Sequence, residues 1–522
     1  MEINTVYKNP LRVAGRVAYI YPSIYNVMIS SLAPDIIYSL VNNLEEVYME
    51  RFVNTKLQGP ENEPRSIETG SRLRDFGLIM TTLHYEPDIV NLARILKAGG
   101  ISVFRDRRKE ILIAGGPVCM ENPIPYSDIV DAFIIGEAEV TIPIVIEKWL
   151  EYIDNKRKFL EELSTLKYVY VPEYTDDVVE KRYVEDLDKS FYPYRQIENT
   201  MIEPVFGRGF KLEVSRGCRF WCSFCLETRV FQPYRERSVE VLKSILNKGI
   251  QYTISGKRVV IYSLSFPGSR DQIKLLEYLV REGYVASLPS LRLLGINDDL
   301  LELIKGLGQR MLVFAPETFS HIYQRIFFKY AGLEVELVDL IKRVIGHGFN
   351  VKLYLIYGVK GEDMESVKIN IRALRELARY AKSLGKNVVV SLNPLVPKPH
   401  TMFQWIGMET RERLTKILRA YKSELGGIIE TRPYDMDWAI IQAQLSLSSE
   451  QLGVLIDRWA DYGGGISGWK RAMYEFDIDL SYVYRGYGRD EPLPWGFIKL
   501  DKFSDKVTSR EYEVYGKLIR AV

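Results

Sequence analysis

The chain has 522 residues, 47% of them hydrophobic, ample for a sizeable core and too many for one ordinary domain. Its 70 Lys and Arg against 68 Asp and Glu give a formal net charge of +2, neither a basic nucleic-acid footprint nor an acidic, disordered composition. No run approaches the roughly 18 apolar residues of a membrane span, and the opening MEINTVYKNPLRVAGRVAYIYPS lacks the order of a signal peptide, so a cytoplasmic protein is expected.

The N-terminal part reads as alternating strands and helices. VAYIYPS is a buried strand, SLAPDIIYSLVNNL a helix, EEVYMERF a second strand and FGLIMTT a third. EPDIVNLARILKAGG follows as a helix with a glycine C-cap, then the strands EILIAGGP and DAFIIGEAE. This rhythm predicts an α/β, doubly wound, Rossmann-like domain whose ligands sit beyond the C-terminal strand ends. Those ends carry Tyr21-Pro22-Ser23, Thr82 to Glu86, Gly115-Gly116-Pro117 and Gly136-Glu137. A charged connection with a helix and a short hairpin is expected up to residue 205. The first domain is therefore 1–205.

A second series of strands and helices starts at KLEVSRG. The strands RVVIYSLS, PSLRLLG, RMLVFAPET, NVKLYLIYGV and VVVSLNPLVP follow, with helices between them. Six such units predict a partial (βα)₆ TIM barrel over 206–405, with chemistry at its C-terminal face. After Trp405 the pattern turns mainly helical, giving a third domain over 406–522. There Ser448 and Gln451 suggest a capping box before the helix that carries Leu452, Leu455, Ile456 and Trp459.

Three of the 4 cysteines, Cys218, Cys222 and Cys225, fall in SRGCRFWCSFC, just after the first barrel strand. This is not a disulfide framework. A structural zinc site needs a fourth Cys or His, and His84, His321, His347 and His400 are all distant in sequence. Soft thiolates in this number favour an iron–sulfur cluster. Cys119, after GGPV, reads as a small buried apolar residue.

The spacing C-x3-C-x2-C, with Phe224 before the last cysteine, resembles the signature of the radical SAM superfamily. The resemblance implies a 4Fe–4S cluster on Cys218, Cys222 and Cys225, with S-adenosylmethionine (SAM) on the fourth iron. It implies reductive cleavage of SAM to a 5′-deoxyadenosyl radical that abstracts hydrogen from an unactivated carbon, and a one-electron donor of the ferredoxin or flavoprotein kind. Further SAM contacts are expected by the same resemblance. SLSFPGS, with Ser265 and Gly268, stands where the family has a glycine-rich element with a glutamate, which is absent here. Glu317 in FAPET and Arg325 in the following helix stand near the ribose or carboxylate position, Arg325 as a bidentate partner. Gly358 and Glu362 in YLIYGVKGED stand near adenine, or simply form a turn.

YPSIYNVMISSL, YMERF, GGP-x4-NP-x-P from Gly115 to Pro125, DAFIIGEAE, VPKPHTMFQW and LPW together resemble a narrower group, in which an N-terminal domain like the cobalamin-binding fold precedes the barrel. The cobalt-ligating Asp-x-His-x-x-Gly is absent: His84 has Thr82 and Pro87 at the flanking positions. Cobalamin is thus left open. His84, Tyr85 and Glu86 at a strand end, and Lys398 and His400 at the barrel exit, are substrate-site candidates beside readings as packing, capping and turn residues. Archaeal tetraether-lipid (GDGT) ring synthases are radical SAM proteins of this general kind. The Lys-, Glu-, Ile- and Tyr-rich, Cys-poor composition is compatible with a hyperthermophile. Formation of C–C bonds, as cyclopentane rings in such lipids, is the favoured expectation, with peripheral membrane contact. Cobalamin-dependent methylation and radical modification of tRNA or protein are the alternatives. Near-neutral charge and the lack of an RNA-binding module stand against nucleic acid, and no basic amphipathic anchor is evident.

Overall fold

A computed structural model describes residues 1–54, 62–330, 336–476 and 478–519. Near the N-terminus, β1 (Gly15–Ile24), β2 (Val47–Asn54), β3 (Leu78–Thr82), β4 (Ile111–Gly115) and β5 (Ala132–Ile134) form a parallel sheet in the order β2-β1-β3-β4-β5. β6 (Val169–Tyr170) closes its edge antiparallel to β5. Helices α1 (Ala33–Asn42), α2 (Asp88–Ala98), α3 (Pro117–Glu121) and α4 (Ala138–Glu151) connect these strands. The sheet is buried on both faces, as the near-continuous apolar runs require.

The connection holds no hairpin of its own. Val179–Glu180 pairs in parallel with Ile498–Lys499, and Glu198–Asn199 pairs with Glu2–Ile3. Two-residue strands of this kind leave no periodic trace in sequence.

The barrel strands are β7 (Phe210–Glu213), β8 (Arg258–Tyr262), β9 (Val285–Ser287), β10 (Met311–Glu317), β11 (Asn350–Tyr357) and β12 (Val388–Pro394). Two sheets, β7-β8-β9 and β10-β11-β12, meet at Leu291, which bridges Phe266 and Phe314. The expected third strand PSLRLLG is thus reduced to that bridge, with the ladder itself at Val285–Ser287. A seventh parallel strand, β13 (Glu430–Pro433), pairs with β12. On β11, Val351, Leu353, Leu355 and Tyr357 are fully buried, and the alternate residues Lys352, Tyr354 and Ile356 are less so. That alternation separates a packed face from an open one.

The C-terminal part is helical: α5 (Arg411–Leu425), α6 (Met436–Ser446), α7 (Gly453–Asp461), α8 (Ile466–Phe476) and α9 (Ser504–Ile519). The expected capping box does not form. Helix α7 begins at Gly453, and the Ser448 hydroxyl caps a local turn by accepting from Glu450 N–H. No described helix is long and apolar enough to cross a membrane.

Candidate active site

The cysteine loop leaves β7 through Ser215–Arg216, which pairs with Arg235–Glu236, so the loop is closed at its base. Gly217 sits at φ +81°, and a Cβ there would lie 2.6 Å from Phe231 O and 2.8 Å from Pro233 O. Glycine is therefore required at this closure. Gln232 Nε2 donates to Cys218 O (2.8 Å), Cys225 N to Cys222 O (3.0 Å) and Thr228 Oγ1 to Cys225 O (2.8 Å). Ser223 donates through N to Phe327 O (3.0 Å) and through Oγ to Ile326 O (2.8 Å). The loop backbone is thus fixed.

The three thiols form no disulfide; Cys218 and Cys222 are buried and Cys225 half-buried. Burial pushes Cys225 up to about 12, with Cys222 adding to the effect. Burial also raises Cys222, against the opposing charges of Lys329 and Arg292. The sulfurs therefore feel one another and two cations. Among the described residues, no three His, Cys, Asp or Glu side chains are arranged to hold a single metal ion. Three thiols that are free of disulfides and close enough to act on one another's ionisation fit a cluster whose irons are each taken by one cysteine.

Around them, Glu317 ends β10 at φ +64°, buried, with Lys329 Nζ at 2.9 Å. A left-handed glutamate costs backbone energy, which a fixed environment must offset. Phe224 packs edge-on against Phe327 at 5.1 Å, with Lys329 over its ring at 6.0 Å. The Arg292 guanidinium lies 3.3 Å from the centroid of Phe220, and its Nε has no hydrogen-bond partner. Ser265 is buried with its hydroxyl unpaired, and Gly268 N donates to Gln272 Oε1 at 2.6 Å. Phe224, Glu317 and Lys329 thus form one group beside the cysteines. Arg292 joins it without having been singled out in sequence; its one signal was a lone basic residue in the apolar run PSLRLLG.

Other expected residues fall elsewhere. Arg325 is exposed and has no carboxylate partner among the described residues. Gly358, at φ +76°, has Leu414 Cδ2 of α5 2.1 Å from where a Cβ would sit, so only glycine fits there. Glu362 accepts from Gly358 N at 2.6 Å and is pushed up to about 8 by burial. These two residues form a turn.

Glu86, Lys398, Ser446 and Glu121 make one buried polar group joining α2, the barrel exit and α6 to α3. Lys398 pairs with Glu86 and lies 3.6 Å from Glu121. The Ser446 hydroxyl is within 2.6 Å of Glu86, 3.0 Å of Glu121 and 2.9 Å of Lys398 Nζ. Burial raises Glu121 well above the usual carboxylate range and pushes Lys398 down to about 7. Tyr85 shares a hydrogen bond with Tyr434 (2.5 Å). His400, at φ +60°, places Nε2 3.1 Å from Glu121 O and is pushed down to about 4 by burial. These four candidates therefore sit in contacts between distant parts of the chain.

His84 differs. It is exposed on the wall of an open cavity of about 750 Å³, where the protein packed around the cavity still lowers it to about 4. The cavity spans from the C-terminal ends of the N-terminal strands, at Thr82, Gly115 and Gly136, to the barrel at Ser215, Gly217, Tyr262 and Met311. Its lining is mostly apolar. At one wall the two parts are clamped ionically. Arg216 reaches Glu137 (2.8 Å), Glu139 (2.7 Å) and Glu213 (2.8 Å), and Arg235 reaches Glu137 (2.7 Å). Burial pushes the Glu137 carboxyl up, but Arg216 and Arg235 outweigh it and hold it below its usual range.

Two family models match parts of the chain. The radical SAM superfamily model matches residues 212–374, and the model of the N-terminal part of radical SAM proteins matches 33–172. An uncharacterized protein of Methanocaldococcus jannaschii is 29% identical over 450 residues, 86% of this chain and 92% of its own. The ribosomal protein uS12 methylthiotransferase RimO of Trichlorobacter lovleyi is 26% identical over 180 residues, 32% of this chain and 40% of that one. Among solved structures, the radical SAM methyltransferase TsrM of Kitasatospora setae, with tryptophan and a SAM analogue bound, gives a TM-score of 0.49 at 12% identity over 72% of each chain. The cobalamin-dependent SAM radical enzyme OxsB gives 0.43 at 12% identity, covering 96% of this chain and 75% of that one.

Proposed function

On the premise that the chain belongs to the radical SAM superfamily, whose models match residues 33–172 and 212–374, we propose that it joins carbons within the saturated hydrocarbon of a membrane lipid, with ring closure in archaeal tetraethers as the specific case. The observation that carries this reading is the largely apolar cavity of about 750 Å³, whose wall includes Ser215, Arg216 and Gly217, the residues leading into Cys218. An apolar cavity suits a substrate held by its hydrocarbon body rather than by polar contacts.

Cys218, Cys222 and Cys225 hold the 4Fe–4S cluster. When bound, the cluster and SAM supply a carbon-centred radical able to take hydrogen from an unactivated C–H. Lys329 and Arg292 would present positive charge to the SAM carboxylate, with Glu317 orienting Lys329. The buried, unpaired Ser265 hydroxyl would be free to accept from the SAM amino group, the role that the missing glutamate would otherwise fill. The cavity walls position the substrate carbon and keep out water and stray hydrogen donors. Glu86, Tyr85, Lys398 and His400 hold the surrounding elements in register. A one-electron donor of the ferredoxin or flavoprotein kind is required.

The test is anaerobic. Reconstituted protein receives SAM, reductant and total lipid extract of a thermophilic archaeon, and lipid masses are followed by mass spectrometry. Loss of two hydrogens per event, with 5′-deoxyadenosine formed in step, is expected. Deoxyadenosine with unchanged lipids would sink the lipid reading and leave radical modification of tRNA or protein. A second reading rests on the cavity's place beyond the N-terminal strand ends, where doubly wound sheets take their ligands: cobalamin held there without a histidine motif, serving methylation. Gain of one CH₂ per event would select it.

A further inference from the structure

The segment Met201–Phe206, between the N-terminal sheet and the barrel, exposes apolar side chains in close succession: Met201 (81%), Ile202 (41%), Val205 (55%) and Phe206 (57%). The segment is ordered by its own polar groups. Asn199 Oδ1 accepts from Met201 N (2.8 Å) and Ile202 N (3.0 Å). Arg208 donates to the carbonyls of Asn199, Thr200 and Ile202 and pairs with Glu203 at 2.7 Å. Val205 N donates to Ser30 Oγ (2.6 Å), and Ser287 Oγ donates to Phe206 O (3.1 Å). Polar groups are thus spent holding the loop while its apolar side chains meet water, the reverse of an ordinary surface loop.

This apolar surface continues into the cavity, since Phe206 and Met311 both line it. Around the entrance, Val285 and Met311 are also exposed, at the N-terminal ends of β9 and β10. Arg258, the register partner of Val285, and Arg310, next to Met311, are exposed and have no carboxylate partner among the described residues. The nearest acid on the loop, Glu203, is already neutralised by Arg208. Apolar side chains that can enter hydrocarbon, flanked by uncommitted guanidinium groups, match a bilayer interface bearing negative headgroups.

We propose that this collar docks the protein on an anionic lipid bilayer, and that a lipid chain passes from the bilayer between Phe206 and Met311 into the cavity. The proposal rests on the lipid reading of the cavity, but its docking step is tested without turnover. Reconstituted full-length protein is floated with vesicles of phosphatidylcholine alone or mixed equally with phosphatidylglycerol. Binding to the mixed vesicles is expected, weakened by salt. Met201→Asp/Val205→Asp and Arg258→Glu/Arg310→Glu should each lower the bound fraction at least about tenfold. Both variants should keep the wild-type melting temperature and their yield of deoxyadenosine on detergent-dispersed lipid. Wild-type protein that stays off the vesicles, variants that bind as well as wild type, or preference for nucleic acid over vesicles would overturn the proposal. Vesicle binding without any lipid product would leave docking intact and remove the proposed reaction. Reaction on dispersed lipid without vesicle binding would do the reverse.

Discussion

Lys329 lies between a carboxylate and a thiol. Burial alone would strip its proton, but Glu317 at 2.9 Å and Cys222 outweigh it and hold the ammonium above its usual range. Lys329→Met leaves a buried Glu317 unpaired, so a loss of about 3–5 kcal/mol in unfolding free energy is expected, with Lys329→Arg retaining more of it. Denaturant titration of the two variants checks this. Cys222→Ala should abolish deoxyadenosine formation, measured chromatographically; cleavage at the wild-type rate would remove the cluster assignment. Glu362 provides a pH test. Its folded-state pKa, about 8 against the usual 4.5, keeps it protonated in the fold where the unfolded chain ionises. Its contribution to stability is full below about pH 4.5 and is lost as pH rises toward 8. Glu362→Gln should flatten the fall in melting temperature across that window. The three cysteines stood out because they lie in one short loop, where spacing survives in sequence. Arg292 was not, because its meaning depends on where the third strand lies. For Arg325, the direction of the side chain depends on a helix of only six residues, His321–Ile326, whose phase sequence does not fix.

Among elements, α9 bears most directly on the site. Glu511 reaches Arg229 Nη2 at 2.7 Å and 2.8 Å, and Arg229, fully buried, stacks over Trp221 of the cysteine loop at 4.8 Å. Arg229 Nε and Nη1 have no other partner, so Glu511 is its one anionic support among the described residues. Glu511→Ala should cost about 3–5 kcal/mol and lower the iron retained per chain after reconstitution. Normal iron content with a normal melt would show that α9 is not needed to hold the loop. The N-terminal strands and the alternation on β11 were readable because burial imposes a period. Strand β13 was not: Glu430, Arg432 and Pro433 are charged or lack an N–H, and most of the strand is exposed, so only its partner β12 makes it a strand.

At the scale of the whole molecule, the N-terminal sheet and the barrel are joined by charge around Glu137 and by the Glu86–Lys398–Ser446 group. Glu137→Ala leaves Arg235, buried, without its carboxylate, and frees one arm of Arg216. A single calorimetric transition should then split or broaden as the two parts unfold separately; one unchanged sharp transition would show the clamp to be dispensable. The glycine-rich strand ends were readable in the sequence, but not this joinery, whose partners lie far apart in the chain. The position of α9 has a consequence for mobility. Tyr512, Tyr515, Leu518 and Ile519 of this helix share one apolar cluster with Phe224 and Phe327 beside the cysteine loop. Fraying of α9 therefore withdraws apolar packing from the wall on which that loop rests, without breaking any of the loop's own hydrogen bonds.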